Sequence, residues 1–126
     1  MYEYEAIVKA VKDGDTIDVI IDLGFRIGIE QRVRLLGVDT PEIHGKVSDE
    51  ELLAGTNAKK YVENCILNKR IRVVTKSDKQ EKFGRYLADV YFKDEKAVER
   101  WLNKELVDKG YAKPYFGEKK EPFKTN

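Results

Sequence analysis

The chain has 126 residues, of which 24 are basic and 23 acidic, for a formal charge of +1. That is enough for one domain with a real core, and the near-cancelling charges exclude any whole-molecule attraction to polyanions, so such a pull has to come from local clustering. The single cysteine, Cys65, excludes an intrachain disulfide and a zinc site built on paired thiolates.

The N-terminal residues Met-Tyr-Glu-Tyr-Glu lack the basic and apolar regions of a signal peptide, and no window approaches the length and apolarity of a membrane span. The chain as given reads as cytoplasmic, although a secreted product trimmed of its signal would read the same way. No membrane partner is expected.

Residues 2 to 10 alternate Tyr2, Tyr4, Ala6, Val8 and Ala10 with Glu3, Glu5, Ile7 and Lys9, the period of a strand with one buried face. Asp13-Gly14 then reads as a hairpin turn into a second strand through Ile17, Val19 and Ile21. A turn accounts for the glycine but not for Asp15, whose carboxylate at the start of the second strand can aim inward. Leu23-Gly24-Phe25 turns the chain into a third strand through Ile27, Ile29, Val33 and Leu35. These runs form an antiparallel meander. Gly37 follows, reading as a bulge or a place of close backbone approach.

The third strand ends in Arg34-Leu-Leu-Gly-Val-Asp-Thr-Pro-Glu42. Pro41 lacks a backbone donor and biases Thr40 towards extended geometry, so the chain turns there and keeps Asp39, the Thr40 carbonyl and Glu42 together. A plain alternative is that Asp39 or Thr40 caps a short turn with Pro41 at its first position. His44, in the loop from Ile43 to Val47, reads as a loop residue, since nothing in its spacing makes it a metal ligand or a base.

Ser48-Asp-Glu-Glu51 has the form of a capping box, and Ala58, Tyr61, Val62, Cys65 and Ile66 keep helical spacing to about Leu67, with Gly55 and Asn57 able to delay the start. A fourth strand covers 71–75, a polar loop 76–84 and a fifth strand 85–92. Val98, Trp101, Leu102 and Leu106 mark a second helix stopped by Gly110. Residues 69–85 hold seven basic side chains against Asp78 and Glu81, either a solvated face or a binding surface. The order of three strands, helix, two strands, helix fits an α+β, mainly β domain: a five-stranded OB-fold Greek-key barrel over residues 1–113, then a short charged tail over 114–126.

Asp13-Gly-Asp-Thr16 on the second strand, Arg34 to Glu42 ending the third, Phe83-Gly-Arg85 opening the fifth and Asn103 to Ala112 on the second helix together closely resemble the staphylococcal nuclease (thermonuclease) family. Any one of these motifs is weakly specific, but their joint order and spacing are strong. By position, the resemblance implies Asp15 and Asp39 as carboxylate ligands of one calcium ion, with the Thr40 carbonyl as a third protein oxygen. It implies Glu42 as general base on water and Arg34 and Arg85 as phosphate holders. Asp13 either braces metal-bound water or simply makes the turn. Lys82 and Phe83 flank the active arginine; the family has tyrosine at the Phe83 position, so Phe83 can stack but cannot donate a hydrogen bond. Tyr115 and Phe116, with Tyr111 unless it is a core residue, are candidates for a second stacking wall.

The chemistry of those residue types agrees with the resemblance. Phosphodiester hydrolysis needs a placed nucleophile and compensation for charge on the non-bridging oxygens. Guanidinium groups fork onto phosphate, and calcium takes hard oxygen ligands, although the same oxygens would accept manganese or magnesium. The expected activity is a calcium-dependent nuclease, a monomer acting on DNA and RNA with single strands preferred. The alternative is a non-catalytic OB-fold module that binds single-stranded nucleic acid or a protein partner; an oligosaccharide-binding barrel has no use for the paired arginines. Two departures from the family stand out: its third C-terminal helix is not expected in the chain as given, and extra length between Phe92 and Asn103 either lengthens the second helix or inserts a hairpin at the barrel's edge.

Overall fold

Alternating burial starts at the N-terminus and produces a long first strand, β1 (Tyr2–Asp13). In the computed structural model, which describes residues 2–80 and 85–115 and, within 76–80, the backbone alone, it is followed by β2 (Thr16–Asp22), β3 (Gly28–Leu35) and the short β4 (Val38–Asp39). Then come α1 (Asp49–Ile66), β5 (Arg70–Gln80), β6 (Tyr86–Lys93), β7 (Glu99–Trp101), α2 (Leu102–Asp108) and β8 (Lys113–Pro114). Lys82, Phe83 and Phe116 lie outside the described residues, as does the tail from 116 onward.

Strand order is β3-β2-β1-β5-β6-β7, and a parallel pairing of Val33–Leu35 with Tyr86–Ala88 joins β3 back to β6. The five strands from β3 through β6 in that order, all but β7, therefore close into a barrel, with the crossings of the OB Greek key and α1 inserted after the third strand. β1 serves two neighbours at once, β5 along Tyr2–Ile7 and β2 along Glu5–Asp13. Its period does not run unbroken: pairing with β2 slips between Val8 and Ala10, and the bulge turns Val11 rather than Ala10 into the core.

Inside the barrel Val8, Ile17, Val19, Leu35, Val73 and Val90 are fully buried, and Val62 and Ile66 of α1 and Leu102 and Leu106 of α2 are buried in the same core. Each contributes about 1.5–3 kcal/mol by burial. Exposed ion pairs such as Arg70–Glu5, half or more in water on both sides, contribute about 0–1 kcal/mol. The core, rather than the charged exterior, holds the fold.

Two expected elements move, and a third keeps its expected start. The strand through 71–75 continues to Gln80, which pairs with Tyr86 after a register shift between Thr75 and Gln80, so the expected polar loop begins later on the strand's side. Residues 98–101 are not helical: Ala97 takes a left-handed φ of 62°, Asp94 Oδ1 accepts the Lys96 and Val98 amides, and β7 pairs back on β6. The extra length is thus a hairpin, fastened by Trp101 stacking on Tyr91 and donating Nε1–H to Asp89. Apolar residues at helical spacing had a second solution, a cross-strand aromatic pair. Last, α1 starts at once after its Ser48 cap, whose hydroxyl accepts the Glu51 amide, so Gly55 and Asn57 lie inside the helix. Among the described residues no helix is long and apolar enough to cross a membrane.

Candidate active site

The β1–β2 hairpin pairs Asp13 with Thr16, so its two connecting residues are Gly14 and Asp15, one position later than the dipeptide reads. Gly14 does not use the left-handed conformation. Its reason is space: a Cβ there would stand 2.8 Å from Thr40 Cγ2 and 2.9 Å from Ala58 Cβ. Asp15 is buried and ties the hairpin to the third strand's exit. Its Oδ1 accepts the Thr16 hydroxyl at 3.0 Å, its Oδ2 accepts the Thr40 amide at 3.2 Å, and its carbonyl accepts the Leu35 amide at 2.8 Å.

β3 delivers Arg34 to the same place, because closure against β6 fixes Leu35 opposite Ala88 and leaves Arg34 beside the hairpin end, in register with Thr16. Arg34 NH2 lies 3.5 Å from Asp15 Oδ2 and 3.5 Å from Asp39 Oδ1, all three side chains being nearly out of water. Gly37, at φ 77°, turns the chain from β3 into β4. β4 then carries Asp39 inward and pairs with β8, Asp39 opposite Lys113. Thr40 and Pro41 are buried, and no helical turn follows them, which disposes of the capping alternative.

Glu42 emerges from this buried stretch into solvent. Its Oε1 accepts the amides of Ile43 at 3.2 Å and His44 at 3.0 Å, so the carboxylate is folded back over its own following turn. That turn brings His44 Nε2 to 3.0 Å from Asp13 Oδ1. Asp13, Glu42 and His44 each offer a ligand atom within 4.8 Å of the others, a mixed nitrogen and oxygen set that could itself hold a metal. His44 thus lies in a loop, as expected, but in contact with Asp13. Sequence spacing could not show this, because its partner Asp13 comes from the hairpin. Burial pushes the Asp13 carboxyl up from its ordinary value, the neighbouring Asp15 and Glu42 charges push it further, and only His44 pulls it down.

Tyr115 stands with its ring 5.4 Å from the Arg34 guanidinium carbon, and its amide donates to the Gly37 carbonyl, so it belongs to the Arg34 side of the site. Tyr111 does not. It stacks on Tyr61 at 4.6 Å between centroids and packs against the core. Arg85 is half-buried immediately before Tyr86, the residue that pairs with Val33, and so enters on the strand next to Arg34.

Asp15, Asp39 and the Thr40 carbonyl are hard oxygen donors of the type calcium takes. Two buried carboxylates share one guanidinium nitrogen at 3.5 Å, and a third carboxyl beside them is already displaced towards its neutral form. Such an excess of negative charge is relieved by a cation, so the residues fit a hard divalent ion.

A family model described as staphylococcal nuclease homologue matches residues 32–126. The chain belongs to that family. Among its similar proteins, an uncharacterized protein of Methanocaldococcus jannaschii is 36% identical over 129 residues, covering 89% of this chain and 59% of the relative. A thermonuclease of Staphylococcus intermedius is 37% identical over 110 residues, 87% of this chain and 59% of that protein. An endonuclease of Bacillus subtilis is 32% identical over 119 residues, 90% of this chain but 9% of that larger protein. The chain thus spans about three-fifths of the first two relatives. Membership in the staphylococcal nuclease family accounts for the barrel, the two described helices and the order of the charged stretches together.

Proposed function

We propose that this chain is a calcium-dependent nuclease that hydrolyses phosphodiester bonds in DNA and RNA with little sequence preference, single strands being favoured. The observation that carries the reading is Arg34 at 3.5 Å from both Asp15 and Asp39, with Glu42 three residues beyond the second aspartate. Family membership and the thermonuclease and endonuclease relatives support it.

In this reading each group has a task set by its surroundings. The ion pairs of Arg34 use one guanidinium nitrogen, so the planar fork keeps further N–H donors for phosphate oxygens, and Arg85 supplies a second fork from the adjoining strand. Glu42 Oε1 is occupied by two amides, which leaves Oε2 to take a proton from water as the water attacks phosphorus. Asp15, Asp39 and the Thr40 carbonyl would hold calcium, which when bound offsets negative charge on the phosphate. Tyr115 offers an aromatic face beside Arg34 for a base, and Lys82 and Phe83 are assigned to the substrate by the resemblance alone.

The test is hydrolysis of single-stranded DNA and RNA with calcium, with and without chelator, in the wild type and in Glu42→Gln and Arg85→Ala. Each substitution is expected to lower kcat by about 100-fold or more, the scale of losing a general base or a charge-stabilising donor. Cleavage that persists undiminished in chelator, or in both variants, removes the mechanism.

A further inference from the structure

Gly55 sits in mid-helix on the buried face of α1. Its φ is not in the left-handed region, so the backbone does not ask for glycine. A glycine in a helix interior costs about 0.5–1 kcal/mol relative to alanine, so something else must be gained from the missing side chain. What lies over it is the bend that carries Glu42. A Cβ at position 55 would stand 2.4 Å from Ile43 Cγ2, 2.6 Å from the Pro41 carbonyl oxygen and 3.2 Å from the Pro41 carbonyl carbon. The first contact is with a stiff β-branched side chain and the other two with backbone, so a methyl group cannot be admitted without moving the bend.

We propose that Gly55 is a positioning residue for Glu42: the notch left by its absent side chain seats the Pro41–Ile43 bend and so sets where the carboxylate stands.

The direction in which a displaced bend would move follows from what holds its ends. On the Asp39 side, the Thr40 amide donates to Asp15 Oδ2, and the Thr40 side chain rests on the space left by Gly14. β4 is paired with β8. On the far side the bend is held by the Ile43 and His44 amides on Glu42 Oε1 and by the His44 contact to Asp13, all of them near the surface. A push at Pro41 therefore passes forward to Glu42 and leaves Asp15 and Asp39 in place. Two glycines on separate elements, Gly14 in the hairpin and Gly55 on the helix, thus make room for one segment, each beneath a different part of it.

The kinetic consequence rests on the nuclease reading above; the seat itself does not. A mere packing glycine and a positioning glycine differ in what alanine does. If position 55 only packs, alanine changes thermal stability and nothing else. If it positions Glu42, Gly55→Ala lowers kcat for single-stranded DNA by about 10- to 100-fold with KM little changed, as a misplacement of about 1 Å would. Calcium binding by calorimetry stays at the wild-type value, and the amide resonances of Ile43 and His44 shift. Asn57→Ala, an exposed position on the same helix, raises helix propensity without touching the notch and leaves kcat unchanged. Should Gly55→Ala not fold, Ile43→Ala decides the matter, since it removes the bend's side-chain wall and is expected to lower kcat several-fold at unchanged calcium affinity. Gly55→Ala with wild-type kcat and unshifted Ile43 and His44 amides overturns the proposal, as does Ile43→Ala with wild-type kcat where the first variant is unfolded. If the wild type itself cleaves nothing, the nuclease reading fails and the amide shifts alone judge the seat.

Discussion

Asn103 uses its whole amide on backbone groups. Its Oδ1 accepts the Val90 amide at 2.9 Å, and its Nδ2 donates to the Leu36 carbonyl at 2.8 Å and the Ala88 carbonyl at 3.1 Å. The side chain is almost fully buried, so these groups have no water to turn to. Ala88 would still receive the Leu36 amide if Asn103 were truncated, whereas the Val90 amide and the Leu36 carbonyl would lose the bonds described. Asn103→Ala is therefore expected to cost about 2–6 kcal/mol, one buried and one partly buried polar group at roughly 1–3 kcal/mol each, read as a lowered urea midpoint. Part of that loss should reach the site, because Leu36 leads through Gly37 into the strand bearing Asp39. The motif from Asn103 to Ala112 carries the family resemblance, and the structure supplies a physical reason for its first residue.

The two helices are joined by a polar cluster rather than by apolar contact alone. Arg100, the residue before the Trp101 cap of α2, donates from Nε to Glu105 Oε2 at 2.7 Å and from NH2 to Glu105 Oε1 at 2.6 Å, and Tyr61 of α1 donates its hydroxyl to the same carboxylate. The Arg100 hydrogen bonds hold the Glu105 carboxyl below its ordinary value of 4.5, against the opposing effect of burial, with Tyr61 adding to the depression. A depressed carboxylate pKa means that the unfolded chain takes up the proton first on acidification. Glu105 therefore contributes stability above 4.5 that is lost as pH falls through its folded value. Glu105→Gln should be less stable than the wild type near neutrality, and the gap should narrow in urea titrations carried out at decreasing pH below 4.5. A gap that stays constant over that range would show that Glu105 is not coupled to Arg100 as the geometry requires.

At the scale of the whole molecule, the segment carrying Asp39 is held by the end of the described chain. β4 pairs with β8, Val38 opposite Pro114 and Asp39 opposite Lys113, and the Tyr115 amide donates to the Gly37 carbonyl at 2.9 Å. The barrel closes elsewhere, between β3 and β6, so it does not depend on this pairing. A chain ending at Tyr115 and one ending at Ala112 should accordingly differ little in the cooperativity of unfolding. Calcium affinity, measured by calorimetry, should fall about 10-fold from the first to the second, the worth of one or two hydrogen bonds at roughly 1 kcal/mol each. Equal affinity in the two would show that Asp39 is placed by β3 and the hairpin alone.

By itself the sequence determined the order of the five barrel strands and two helices, the Ser48 cap, the barrel class and the charged stretches at the ends of β2 and β3, because local period, cap chemistry and proline's missing donor act over a few neighbouring residues. It did not show that Trp101 belongs to a hairpin, since apolar residues three and four apart satisfy a helix and a cross-strand pair equally well until a partner such as Tyr91 is present. Nor could it show what Gly14, His44 and Gly55 are for, because each is defined by a group that another element brings to it: Thr40 and Ala58, Asp13, and the Pro41–Ile43 bend. Those contacts exist only after the hairpin, the exit of β3 and α1 have packed together, and tertiary structure alone decided them.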